Sequence, residues 1–147
     1  MLIKILCVSD SDKHFSPAAE EYQKRLGSDC KIKTIKPEKG GAVHDIVKKE
    51  TDRVLAFLEK YQGSIVLLSI GGKLLDTFRF TAFLEKHTPI TFLIGWPFGL
   101  DEQRLKHKIH DMISLSPLTL PHGLAKVILL EQIYRAKMIT QGRSYHY

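Results

Sequence analysis

SLSPLTLPHGLAKV, residues 114–127, is an unusual entrance to a helix. Leu115, Leu118 and Leu120 alternate with Ser116, Pro117, Thr119 and Pro121, and no charge appears before Lys126. Connections usually run over the surface and are rich in polar groups. A neutral loop with two conformation-restricting prolines, leading into the apolar run Val127-Ile128-Leu129-Leu130, is expected to be partly covered. It is either a buried crossover that packs only against protein, or the wall of a slot for an apolar ring whose edges meet backbone amides and carbonyls.

Working outward, apolar runs alternate with helical patterns. LIKILCV (2–8) reads as a strand, and Ser16-Pro17 supplies a helix cap and first-turn proline for a helix that Gly27 stops. CKIKTIK (30–36) alternates with period two, as an edge or half-exposed strand does. Residues 43–61 carry a helical stripe through Ile46, Val47, Val54, Leu55 and Leu58. SIVLLSI (64–70) is apolar enough to be buried on both faces, and Gly71-Gly72-Lys73 follows it as a loop. A helix over 77–86, a strand ITFLIG (90–95), a helix from Asp101-Glu102 through the basic RLKHK, and a strand MISLS (112–116) complete the series. This is the pattern of an α/β fold, a mostly parallel sheet with helices on both faces. Ligands of such sheets sit beyond the carboxyl ends of the strands, here at 71–73, 95–99 and 116–121.

With 147 residues, 44% hydrophobic and 26% charged, the chain is expected to form a single domain over 1–147. Cys7 and Cys30 have no metal-like or CxxC spacing and read as ordinary thiols of a reducing compartment. No secretory leader and no run of roughly 20 apolar residues is present, so a cytoplasmic protein is expected. The net charge of +6 permits a polyanionic partner without requiring one. Gly71-Gly72-Lys73 lacks the P-loop frame, and Gly95-Trp96-Pro97-Phe98-Gly99 lacks the GxGxxG frame, which removes the usual support for nucleoside-triphosphate or dinucleotide binding. No metal is expected. The helix 123–140 is apolar on more than one face, so a second subunit or another part of the chain should cover it, and Glu131, Gln132 and Arg135 should then be paired.

The segment LPHGLAKVILLEQIYRAKMITQGRSYHY resembles the C-terminal signature of the bacterial ribosomal RNA large subunit methyltransferase H family, of the SPOUT superfamily. SIVLLSIGGK, ITFLIGWPFGL and SLSPLTLPH fall in that family's order and spacing along essentially the whole chain. The resemblance implies a C-terminal trefoil knot, a homodimer, and S-adenosylmethionine as methyl donor for N3 of a pseudouridine in 23S rRNA within the ribosome. It implies that Leu68, Gly95, Leu115, Ser116, Pro117, Leu118, Thr119 and Leu120 line the donor site, and that Arg135, Tyr145 and His146 are the catalytic candidates. Three departures stand out: Trp96-Pro97-Phe98 between Gly95 and Gly99, Ser69 where the family usually has an acid, and Lys126 for a common arginine.

Methyl transfer from a sulfonium chiefly requires alignment of acceptor, carbon and sulfur. The imide N3 proton must leave, so a base or an anion-stabilising group helps, with His122 a further candidate beside His146. N3 lies on the pairing edge, so the target base must be unpaired or swung out. Arg104, Lys106, Lys108 and Arg143 are candidates for surrounding phosphates. Valine at Gly95 is expected to block the slot by bulk without unfolding the protein, and a charge at Leu129 to disrupt the dimer. The competing reading is a non-catalytic ribosome-binding protein whose donor pocket is closed by Trp96 and Phe98.

Overall fold

The computed structural model describes residues 2–10, 12–95 and 98–147. Strands β1 (Ile3–Val8), β2 (Cys30–Ile35), β3 (Ser64–Leu74), β4 (Ile90–Ile94) and β5 (Asp111–Ser114) form one sheet in the order β2-β1-β4-β3-β5. Every pairing among the described residues is parallel. Helices α1 (Ser16–Leu26), α3 (Thr77–His87) and α5 (His122–Thr140) contribute to the core on one face of the sheet. α2 (Val43–Leu58) and the single turn α4 (Glu102–Leu105) contribute to the core on the other. Alternation sorts the central strand between them: Ile3, Ile5 and Cys7 of β1 face the first core, Leu6 and Val8 the second. All five residues of β4 are buried, as its uninterrupted apolar run requires.

Several boundaries differ from the sequence pattern. Ser16 is the first residue of α1 rather than its cap; the cap position is Phe15, and the Asp12 carboxylate takes the N–H groups of His14 and Phe15. Gly27 closes that helix at φ +58°. Gly71-Gly72-Lys73 is strand rather than loop. β3 leaves β5 after Leu68 and returns at Lys73, both of which pair with Ile113. A Cβ on Gly72 would lie 2.5–2.7 Å from the backbone of Ile113, so only glycine permits the return. Lys73 Nζ then reaches Asp111 Oδ2 at 2.9 Å. RLKHK is not a helix face: α4 ends at Leu105, which is fully buried, and Arg104 is tied to Asp52 and to the Lys48 carbonyl. The strand MISLS stops at Ser114, leaving Leu115 and Ser116 to the loop.

The second cover of α5 is supplied within the chain, by α1 and α3 on either side. Leu129, Leu130 and Ile133 are fully buried in the first core, so a charge at Leu129 would test folding and not association. At its amino end Gly123 faces the Asp12 carboxylate and the Phe15 ring so closely that a side chain there would have to push them aside.

Glu50 of α2 is fully buried, with Oε2 accepting the Glu38 N–H at 2.9 Å and Oε1 without a partner among the described residues. Burial pushes its carboxyl above the ordinary value, against the pull of the Glu38 N–H and Arg53. A raised folded value means that stability is fully present below the unfolded carboxylate range and is lost as pH rises through the folded one. Glu50→Gln keeps an acceptor and removes the charge. Urea unfolding should therefore show the variant gaining on the parent toward neutral pH, by roughly 1.4 kcal/mol per unit of displacement. A constant gap from pH 4 to 8 would refute this.

Candidate functional site

The carboxyl ends of β3, β4 and β5 open into a cleft of about 410 Å³. That lies within the range of about 300–1,000 Å³ typical of small-molecule sites. Leu68, Gly95, Leu115, Ser116, Leu118, Thr119 and Leu120 line it; Pro117 does not. The loop is braced by hydroxyl groups as much as by prolines. Ser114 Oγ donates to the Ser116 carbonyl at 2.8 Å, and the Leu118 N–H donates to Ser116 Oγ at 2.9 Å. Pro121 takes the position just before α5. Every residue of 115–120 except Pro117 thus forms one wall of the cleft.

The cleft's charge is negative. Ser69, exposed by the departure of β3 from β5, donates to Glu102 Oε1 at 2.5 Å and accepts the Gly71 N–H at 3.3 Å. Among the described residues that line the cleft, Glu102 is the carboxylate and there is no lysine or arginine. His122 is there too, its imidazole held below the ordinary value chiefly by burial, with Asp12 opposing and Lys126 assisting. Phe98 forms part of the wall and is half exposed. Trp96 lies outside the described residues. A Cβ on Gly95 would sit 3.2 Å from the backbone of Gly99 and from Leu100 Cγ, so valine there would press on those residues as well as on a ligand.

The three catalytic candidates come together, but away from this cleft. Arg135 donates through Nε and Nη2 to Glu131 Oε1, and Tyr145 donates to the same oxygen at 3.2 Å. The Tyr145 ring lies 4.8 Å from the Arg135 guanidinium and meets Tyr134 edge-on. Arg135 Nη1 is 3.1 Å from His146 Nδ1, and the His146 ring stands edge-on to Phe78 at 5.0 Å. Gln132 completes the set, bridging Glu131 and Thr77. The expected pairing of Glu131, Gln132 and Arg135 is therefore present. Burial, followed by the Tyr22 hydroxyl and Glu131, pushes the Tyr145 phenol well above its ordinary value. The hydrogen bond to Glu131 does the same for Arg135.

A family model described as "Predicted SPOUT methyltransferase" matches residues 1–146. The chain belongs to the SPOUT methyltransferase family. It is 37% identical to the ribosomal RNA large subunit methyltransferase H of Streptococcus uberis, covering 99% of both chains. It is 38% identical to the protein of the same name from Pseudothermotoga lettingae, covering 100% of both. In fold it is similar to the SpoU methyltransferase AviRb of Streptomyces viridochromogenes, solved with its cofactor AdoMet, at a TM-score of 0.53 and 14% identity over 93% of this chain and 58% of that one.

Within this SPOUT chain Glu102 is the site residue that no motif announced. Its only signal was Asp101-Glu102 at a helix start, which reads as a cap and a favourable first-turn charge. Its place opposite Ser69 depends on strands β3 and β4 being neighbours. No group of metal-ligating side chains occurs among the described residues. Glu131 is the centre of the tail cluster, so Glu131→Gln should weaken two charge-assisted contacts by about 1–3 kcal/mol together. Trypsin cleavage at Arg143 should then accelerate while the sheet stays protected from hydrogen exchange; unchanged cleavage would mean that the tail is held by its rings alone.

Proposed function

We propose that the protein transfers the methyl group of S-adenosylmethionine to N3 of a pseudouridine in 23S rRNA, acting as a homodimer on assembled ribosomes in the cytoplasm. The observation that carries the reading is the pairing of a neutral, hydroxyl-braced loop with a lone carboxylate in one cleft. Apolar Leu115, Leu118 and Leu120 suit an adenine ring, and backbone groups of the same loop suit its edges. Glu102 complements a donor that is a cation. Relatives over the full chain bear the name of a ribosomal RNA large subunit methyltransferase. Among the described residues no helix is long and apolar enough to cross a membrane.

When bound, the donor supplies a methyl group on a sulfonium, already an excellent leaving group. The chain's own task is to hold the acceptor in line and to manage the imide proton. As that proton departs, negative charge spreads to the flanking carbonyl oxygens. Arg135 and His146 keep N–H groups suited to receive it, while Tyr145, whose one hydrogen goes to Glu131, helps hold the guanidinium in place. A guanidinium only donates, so in the Arg135–His146 contact Nδ1 of a neutral imidazole accepts and Nε2 carries the hydrogen. The cluster is suited to stabilise an anion, while His122 lines the cleft as an imidazole whose burial holds it below its ordinary value.

The cluster does not line the cleft of its own chain, which fits a dimer in which one tail completes the other subunit's site. Ile70, Leu74, Phe78 and Leu118 are large apolar side chains more than half exposed, and Phe78 touches His146. That is surface a second copy would cover. We read residues 115–121 and α5 as the family's trefoil knot.

Calorimetry with S-adenosylmethionine is the deciding experiment. The parent should bind, and Glu102→Gln should bind severalfold more weakly through loss of one charge near a cation. Absence of binding by the parent would favour a non-catalytic ribosome-binding protein with Phe98 and Trp96 against the donor site. Deleting residues 143–147 should leave donor binding intact while methylation of ribosomes from a strain lacking the modification collapses. Full methylation by the shortened chain would remove Tyr145 and His146 from the chemistry.

A further inference from the structure

On the face of the sheet that carries α2, past the end of that helix, lies a second cavity of about 280 Å³. Lys4 of β1, Lys31 and Lys33 of β2, and Tyr61 surround it, and Thr91 of β4 also lines it. Strand register brings them together. Lys4 is level with Lys31 on one side and with Thr91 on the other, and Lys33 is level with Leu6 one pleat further on. Leu6 points into the α2-side core, so all four of these positions share that face.

The arrangement costs stability and lacks an internal remedy. Lys4 and Lys31 stand directly opposite on paired strands, where like charges are destabilising. Among the described residues none of the three ammonium groups has a carboxylate at ion-pair distance, although Lys39, Lys49, Lys73 and Lys137 all do. Aromatic rings hold two of them without neutralising them. The Lys4 ammonium sits 4.5 Å from the Tyr61 ring centroid, and that of Lys33 5.4 Å from Phe57. Thr91 gives an independent indication. It is only 3% exposed, yet its hydroxyl makes no hydrogen bond among the described residues, and what exposure it retains belongs to a residue lining this cavity. Ammonium groups around a hydroxyl, with no carboxylate among the described residues that line the cavity, are the donors that a tetrahedral oxyanion takes.

We propose that this cavity binds a backbone phosphate of the RNA substrate, as an anchoring point separate from the donor cleft; the proposal rests on the ribosomal RNA reading above. Thr91 lies near the amino end of β4 and Gly95 just past its carboxyl end, roughly 13 Å apart at the usual strand rise. RNA held at the lysines therefore passes along the α2 face. The tail cluster and exposed Phe78 belong to the opposite layer of helices, so a dimer built there leaves the cavity open.

The test uses the full chain with Lys31→Gln/Lys33→Gln, both exposed positions, and separately Thr91→Val. Methylation of unmodified ribosomes is measured across a potassium chloride series, with S-adenosylmethionine calorimetry as the check on folding. The double variant should show a KM for ribosomes at least fivefold higher with kcat within twofold of the parent. Its salt dependence, log KM against log salt, should be shallower by about 1, as expected when one or two phosphate contacts are lost. Thr91→Val should raise KM in the same direction, with donor affinity unchanged. Unchanged KM and salt slope in the double variant would overturn the proposal. So would saturable binding of inorganic phosphate at these lysines without any change in ribosome KM, which would make the cavity a site for a free anion. A parent that binds no S-adenosylmethionine sinks the methyltransferase reading alone. Filter retention of a single-stranded rRNA fragment then reads the lysines directly: reduced retention by the double variant supports the proposal, and equal retention overturns it.

Discussion

The backbone of Gly72 lies against the backbone of Ile113 with no room for a single carbon between them, and the cleft takes its shape from that contact. β3 pairs with β5 up to Leu68, departs, and pairs again at Lys73, with Ile113 serving both junctions. Such an excursion survives only if the returning strand comes back to hydrogen-bonding distance, and here a hydrogen in place of a side chain allows it. Ser69 and Ile70 are consequently turned out of the ladder and into the wall of the cleft. The Lys73–Asp111 ion pair sits at the point of return. Partial burial alone would raise the Asp111 carboxyl; Lys73 and the Met112 N–H together hold it below its ordinary value, so the pair stays charged well into the acid range.

The same excursion sets the electrostatics. Ser69 meets Glu102 because β4, next to β3, delivers the chain to α4 beside the excursion. A chain with a net charge of +6 therefore presents a carboxylate at the carboxyl ends of its strands and lysines near their amino ends. A cationic donor and a polyanionic substrate make opposite demands on a protein surface. Placing the two fields at opposite ends of the sheet lets each be met by its own residues.

How much of this could be read from residues alone follows from the range of the interactions involved. Apolar runs revealed β1, β3 and β4, and period-two alternation revealed β2 as the edge strand it is, because those signals come from neighbours a few residues apart. The neutral loop 115–120 was legible for the same reason: its lack of charge reflects the slot it lines. Gly71-Gly72 misled because the same two glycines serve a tight turn or a close approach of strands, and only Ile113, some forty residues away, decides which. RLKHK misled because Leu105 is drawn into the core and ends the helix after one turn. Glu102 and the lysine cavity were not visible at all. Each is made by residues on different elements whose adjacency depends on the strand order β2-β1-β4-β3-β5.

The two-sided apolar character of α5 has a consequence for the tail. α1 and α3 cover both flanks of the helix, yet Glu131, Gln132 and Arg135 remain on it, half-buried and mutually bonded. Apolar residues of similar size would pack there at no electrostatic cost, and removing one partner of a buried pair is what makes such pairs expensive. What the polar set provides is orientation. Glu131 Oε1 receives both Arg135 and Tyr145, which fixes the guanidinium so that its remaining Nη1 points at His146 Nδ1. That contact fixes in turn which imidazole nitrogen of the neutral ring bears hydrogen. Tyr145 and His146 are thereby held in one geometry by a carboxylate fourteen residues before the first of them. The pairing sacrifices some packing on α5 to give the tail a defined hydrogen-bond donor, a use of buried charge for specificity rather than for stability.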